Sequence, residues 1–117
     1  MFVSRSAEVA GRFIEKIEGL RVRGDVNVKP MMDGDQMIML EIHYAVGAGT
    51  PLHIHQHESL CYIVEGKANM VVGDRSYVVN KGDACRHPEG VPHSVHAIEE
   101  TTILEIKSPV QPLDTFL

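Results

Sequence analysis

The sequence lacks the features that mark several classes of protein. It has only two cysteines in 117 residues, Cys61 and Cys85, which form neither a CxxC pair nor a dense disulfide framework. No apolar run approaches the ~18–20 residues of a membrane-spanning helix. The first residues have no apolar stretch of the kind found in secretory signal peptides. We therefore expect a cytoplasmic protein that does not enter a membrane.

Positive charge is scarce as well. The chain carries 11 lysines and arginines against 16 aspartates and glutamates, which gives a formal net charge of −5. A nucleic acid or an anionic membrane surface selects for a basic protein, so neither is expected as a partner. The sequence contains no phosphate-binding loop, nucleotide fingerprint or Ser-His-Asp order. A small-molecule ligand is the partner that remains.

What the sequence does contain is ordinary globular composition in a length that suits one domain. Hydrophobic residues make up 44% and charged residues 23%. Near the N-terminus, Ser6 is placed to cap a helix, and Ala10, Phe13, Ile14 and Ile17 follow helical spacing. Gly11 and Gly19 weaken or end that helix. We predict a short N-terminal helix within residues 1–19.

From Leu20 onward the pattern changes to period two or to short apolar runs, separated by turns rich in glycine and aspartate. Gly73-Asp74 between two valine-rich runs predicts a hairpin. Short strands at regular spacing predict an all-β sandwich or barrel. The predicted strands are residues 20–29, 36–46, 51–57, 60–65, 68–72, 76–80, 84–87, 92–97 and 101–107.

Histidine is the unusual residue, because six of the seven lie between residues 53 and 96. His53, His55 and His57 alternate along one predicted strand, so their side chains face the same side. Two such imidazoles can converge on one metal ion at ~2.0–2.1 Å, with His93 available as a third ligand. Surface histidines, or a core histidine satisfied by hydrogen bonds, are the alternative interpretation.

The spacing around these histidines resembles the two motifs of the cupin superfamily. Gly47, five residues, His53-Ile54-His55 and then Gly66 resemble the first motif. Gly82, five residues, Pro88-Glu89-Gly90, two residues and His93 resemble the second. The resemblance covers about residues 36–107 and implies a double-stranded β-helix, or jelly-roll, barrel there. The length predicts a single domain over residues 1–117, and Pro109 and Pro112 predict an extended C-terminal arm at 108–117.

The resemblance also implies a ligand set. Its metal ligands would be His53, His55 and His93, around one divalent transition metal ion (Zn, Ni, Mn or Fe). The cupin pattern has glutamate at position 59, where this chain has Ser59. A serine hydroxyl in the fourth slot would hold a metal-bound water or leave the position open to substrate. His57 is the other candidate for the fourth ligand.

The stretch from His53 to Ser59 resembles the HxHxHEQ variant found in small cupins related to the uronate ring-opening proteins of pectin breakdown. The ending Ser108-Pro109 … Asp114-Thr115-Phe116 resembles theirs. Those proteins have glutamine where this chain has Ser59. The resemblance to small cupins implies a homodimer, and exposed edge strands favour an oligomer too.

We therefore expect a metal-binding cupin that acts as an enzyme on a small oxygen-rich substrate, a sugar acid or keto acid, by isomerase, ring-opening or lyase chemistry. Glu58, His57 and Tyr62 are the candidates for proton transfer. A three-histidine Fe(II) dioxygenase is one alternative. A non-catalytic cupin that binds a metal or ligand is another, because fold alone does not fix function.

Overall fold

The computed structural model describes residues 2–110, and these form a nearly all-β protein. One 3-10 turn, at Ser6–Glu8, precedes the strands. In chain order the strands are β1 Arg12–Phe13, β2 Lys16–Ile17, β3 Leu20–Arg21, β4 Val26–Asp33, β5 Ile38–Tyr44, β6 Gly49–His53, β7 Glu58–Glu65, β8 Lys67–Val72, β9 Arg75–Asn80, β10 Ala84–His87, β11 His93–Ala97 and β12 Thr101–Ser108.

The strands build two main sheets and a small hairpin. A six-stranded sheet has the order β1-β4-β5-β12-β7-β10, and a four-stranded sheet has the order β6-β11-β8-β9. The N-terminal strands β2 and β3 pair only with each other. All the pairings are antiparallel, as a jelly-roll connectivity requires. Among residues 2–110 the pairing does not close into one ring, so the predicted barrel is present as two open sheets.

The core lies between the two sheets. Along β5, alternate residues are buried: Ile38, Leu40, Ile42 and Tyr44. They belong to one cluster with apolar side chains of the four-stranded sheet, such as Met70. Period-two burial gives each sheet one apolar face, and packing these faces together removes both from water.

The predicted N-terminal helix is wrong. Residues 12–21 form the short strands β1, β2 and β3, and the Ile14 N–H donates to the Val26 carbonyl at 3.0 Å. Ile14 and Ile17 are buried, whereas Phe13 is exposed. Gly11 within the segment and Gly19 at its end make a helix costly here, while the β4 edge offers hydrogen-bond partners. No helix in the described part of the chain is long and apolar enough to cross a membrane.

Most predicted strands appear within one or two residues of their expected ends, and Gly73 lies in the β8–β9 hairpin with φ 64°. The first exception is residues 20–29, which split into β3 and β4. The second is residues 51–57, because β6 ends at His53 and the next histidines lie in a loop. The predicted C-terminal arm at 108–117 falls outside the described residues beyond Val110.

Candidate metal centre

Three buried histidines converge in the interior of the protein. His53 ends β6 and pairs in register with His93, the first residue of β11. His55 lies in the loop that follows β6. All three side chains are buried, and each offers a ring nitrogen within 4.8 Å of the others. The fold thus brings together the three residues that the motif spacing selected as metal ligands.

Hydrogen bonds fix the tautomer of each ring. The Nδ1 atoms donate to the Pro51 carbonyl at 2.6 Å for His53, to the Val91 carbonyl at 3.1 Å for His93, and to Glu18 Oε1 at 2.9 Å for His55. Because these oxygens accept, the proton of each neutral ring lies on Nδ1 and leaves Nε2 with a lone pair. Metal-binding histidines in proteins are oriented in this way.

The Nε2 atoms of His53 and His55 lie 3.0 Å apart. Two lone pairs at this distance repel unless a cation lies between them. Protonation is opposed, because burial lowers the pKa of His53 to about 4, that of His55 to about 2 and that of His93 to about 4. At neutral pH the three rings are therefore uncharged ligands. This donor set fits a divalent transition metal ion.

Ser59, the residue predicted for the fourth ligand position, has a buried lysine beside it that the sequence did not single out. Ser59 faces inward and is buried, as its position on β7 requires. Lys107 of β12 is also buried, and its Nζ lies 3.4 Å from Ser59 Oγ and 3.1 Å from His57 Nε2. An ammonium group cannot ligate a metal, but it can bind an anionic oxygen beside one. Ser59 therefore lies against a positive charge.

A carboxylate balances that charge. Glu105 lies two residues before Lys107 on the inward face of β12. Its Oε2 forms an ion pair with Lys107 Nζ at 2.6 Å. Burial opposes ionisation of Glu105, yet the ammonium outweighs it, and the pKa of this carboxyl falls well below its ordinary value. The pair places a fixed dipole next to the histidines.

Cys61, His87 and Glu105 form a second buried group behind the first. Cys61 Sγ lies 3.6 Å from Glu105 Oε1 and 3.9 Å from His87 Nδ1. Burial raises the pKa of the Cys61 thiol, so it stays protonated at neutral pH. Because Lys107 already neutralises Glu105, we assign no metal to this group. The ring of His87 stacks on that of His93 with centroids 4.1 Å apart.

Two of the predicted proton-transfer residues lie elsewhere. Glu58 and Tyr62 occupy the outward face of β7, because neighbours along a strand alternate. Glu58 makes an exposed ion pair with Arg86 at 2.9 Å, and Tyr62 is 49% exposed. The structure does not bring either to the histidines. It does place His57 beside Lys107, in the buried interior.

Sequence reasoning missed Glu18, His87, Glu105 and Lys107. The period-two pattern puts Glu105 and Lys107 on one face of β12, but Leu104 and Ile106 occupy the other and are the more obvious core residues. His87 lies on the four-residue strand β10, whose sequence does not indicate which face is buried. Glu18 lies 37 positions from His55, its hydrogen-bond partner, and no motif around Glu18 indicates this contact.

A cavity of about 30 Å³ lies against these side chains. One wall is apolar and consists of β4 and β5 side chains with Ile14 and Ile17. The other wall is polar and includes the three convergent histidines, His87, Glu105 and Lys107. A cavity of this volume can hold about two water molecules. The cavity therefore has room for an ion and for the ligand atoms that would contact it directly.

Comparison with known proteins agrees with this architecture. The model of the cupin domain family Cupin_2 matches residues 40–107. The oxalate decarboxylase OxdC of Bacillus subtilis (strain 168) is 30% identical over 81 residues, which are 65% of this chain and 21% of that protein. This chain therefore spans about a fifth of the length of that curated relative.

Two solved structures share the fold at 19% identity each. An RmlC-like cupin from Shewanella frigidimarina NCIMB 400 superposes with a TM-score of 0.84 and covers 98% of this chain and 96% of its own. KdgF from Halomonas sp. superposes with a TM-score of 0.82 and covers 93% of this chain and 95% of its own. Similarity at this level of identity concerns the fold.

Proposed function

Since the chain belongs to the cupin domain family, we propose that it is a metal-dependent enzyme acting on a small, oxygen-rich carboxylic acid. The observation that carries this proposal is the convergence of three buried, neutral imidazoles whose Nδ1 atoms are all engaged by oxygen acceptors. The ligands we assign are His53, His55 and His93. Isomerisation, ring opening or lyase chemistry on a sugar acid or keto acid is the reaction class.

The surroundings of the histidines favour an anionic substrate. A divalent ion bound there would supply Lewis acidity, which polarises a carbonyl or lowers the pKa of a hydroxyl. The Lys107 ammonium, buried beside Ser59 and His57, is placed to bind a carboxylate oxygen of the substrate. Its ion pair with Glu105 holds it in position. The apolar wall of the cavity excludes water from the other side.

His57 is the proton-transfer residue that we retain. Its Nε2 accepts a hydrogen bond from Lys107 at 3.1 Å, and burial lowers its pKa to about 4, so the ring is neutral at pH 7. Glu58 and Tyr62 are not retained, because they face the exterior of the six-stranded sheet. The oxalate decarboxylase of Bacillus subtilis adds support for a small carboxylic acid as the substrate class.

The test is metal analysis of protein purified without added metal, followed by assays of small acids. We expect about one divalent ion per chain. Zinc, nickel or manganese with turnover of unsaturated uronates or small keto or dicarboxylic acids would support the proposal. Protein that binds none of these ions, or that binds one but converts no acid, would contradict it and favour a non-catalytic binding role.

A three-histidine Fe(II) dioxygenase is the second candidate. The observation that favours it is the absence of a carboxylate from the convergent set, where Ser59 stands at the fourth position. Three nitrogen ligands leave room for both a substrate and O₂. Iron in the purified protein together with substrate-dependent O₂ uptake would select this function over the first.

We also propose that two copies pair through the outer face of the six-stranded sheet. Leu60 is 52% and Tyr62 49% exposed on β7, next to Ile106 and Leu104 of β12. Contiguous apolar surface on a sheet is characteristic of an interface. We expect a dimer by light scattering, a monomer for Leu60→Asp, and no change for Val78→Asp on the four-stranded sheet. A dimer that persists in Leu60→Asp would contradict this interface.

A further inference from the structure

The tip of the N-terminal hairpin has an unfavourable residue for its backbone. Glu18 and Gly19 form the two-residue turn between β2 and β3, with φ values of 47° and 78°. Hairpin turns of this kind favour asparagine or glycine at both positions, because other residues are strained at positive φ. Glutamate at the first position therefore needs a reason that the turn itself does not provide.

The side chain of Glu18 provides that reason. Its Oε1 accepts the hydrogen bond from His55 Nδ1 at 2.9 Å, across 37 positions of sequence. Ile14 and Ile17, on the same segment, are buried against the cavity and hold the hairpin to the sandwich. The hairpin thus closes one side of the cavity and extends a carboxylate to one of the three convergent rings.

His55 differs from the other two histidines in what orients it. His53 and His93 lie on strands and donate to carbonyls only two residues away in sequence. His55 lies in a loop, and its acceptor comes from a distant element. Two of the rings are therefore set by their own backbone, whereas the third depends on the docked hairpin.

We propose that Glu18 is a positioning residue for metal binding, and that the N-terminal hairpin is part of the metal site. The inference rests on the metal centre proposed above. The carboxylate holds the Nδ1 proton of His55, so Nε2 points at the ion with its lone pair and gains basicity. Docking of the hairpin and binding of the metal then stabilise each other by the same free energy.

The test compares three variants in chelator competition with Zn²⁺ and with Co²⁺. Glu18→Asn suits the left-handed turn but is one methylene too short to reach His55. We expect it to bind metal about 10–100-fold more weakly than the wild type, with an unchanged or raised melting temperature of the metal-free protein. Glu18→Gln, which keeps an acceptor oxygen, restores most of the affinity. Glu15→Gln, on the exposed side of the same segment, has wild-type affinity.

Two further measurements do not depend on turnover. Nitrogen NMR of the His55 ring in metal-free protein should show the Nδ1–H tautomer in the wild type and a tautomer mixture in Glu18→Asn. Hydrogen exchange of residues 14–21 should slow on addition of Zn²⁺ in the wild type but not in Glu18→Asn. Equal metal affinity of Glu18→Asn and wild type would overturn this inference alone. A wild type that binds neither ion would overturn the proposed metal centre together with it.

Discussion

Replacing His53 or His93 by alanine is expected to reduce bound divalent metal to below about a tenth of the wild-type content. Each variant removes one of three convergent Nε2 ligands and leaves two, which is too few for a stable transition metal site in a protein. Metal content is measured by mass spectrometry of protein equilibrated with Zn²⁺. His96→Ala is the control, because His96 lies on the outward face of β11, three positions from His93.

The same variants give a second readout in thermal unfolding. A ligand present at 100 times its Kd stabilises the native state by about 2.7 kcal/mol. We expect Zn²⁺ to raise the melting temperature of the wild type and of His96→Ala, but not that of His53→Ala or His93→Ala. Equal metal content and equal melting shifts in all four proteins would remove the proposed ligand set and leave the fold without an assigned site.

Lys107→Met is expected to destabilise the metal-free protein by about 3–5 kcal/mol, because it leaves the buried Glu105 carboxylate without its partner. The measurement is urea unfolding at pH 7 in the presence of a chelator. The matched control is Lys81→Met. Lys81 pairs with Glu65 at 2.9 Å, but both side chains are exposed, so its loss should cost far less than the loss of Lys107.

The double variant Glu105→Gln/Lys107→Met should recover much of the loss, since no charge is then left unpaired. The pH dependence follows from the lowered pKa of Glu105. Its contribution to stability is present above the unfolded value of about 4.3 and is lost as pH falls below it. Glu105→Gln should therefore flatten the stability curve at acid pH. Similar costs for Lys107→Met and Lys81→Met would contradict the role of the buried pair.

Short-range features of the sequence determine much of this fold. Gly66, with φ 98°, lies where the backbone turns between β7 and β8, and such turns need glycine. Alternating polarity located β5, β8, β9, β10 and β12 within one or two residues. Motif spacing selected His53, His55 and His93, which the fold brings together. Turns, periodicity and spacing are short-range properties, so the sequence expresses them directly.

Other features depended on where distant segments meet. The segment around Ile14 has helical spacing, but the exposed edge of β4 draws it into strand pairing. Side chains alternate between two faces along β12, and the face that carries Leu104 and Ile106 is the outward one. Glu105 and Lys107 face the interior because they neutralise each other there. The interior position of a charge depends on a partner that alternation alone does not reveal.

By itself the sequence determined an all-β fold of the cupin type and three histidine ligand candidates. Only the tertiary structure placed Lys107 beside Ser59, turned Glu58 and Tyr62 outward and brought Glu18 to His55. The physical reason is the distance along the chain over which each effect acts. Backbone propensity and alternation act over a few residues, whereas the burial of charge and the acceptor of a ring nitrogen are decided by contacts between segments far apart in the chain.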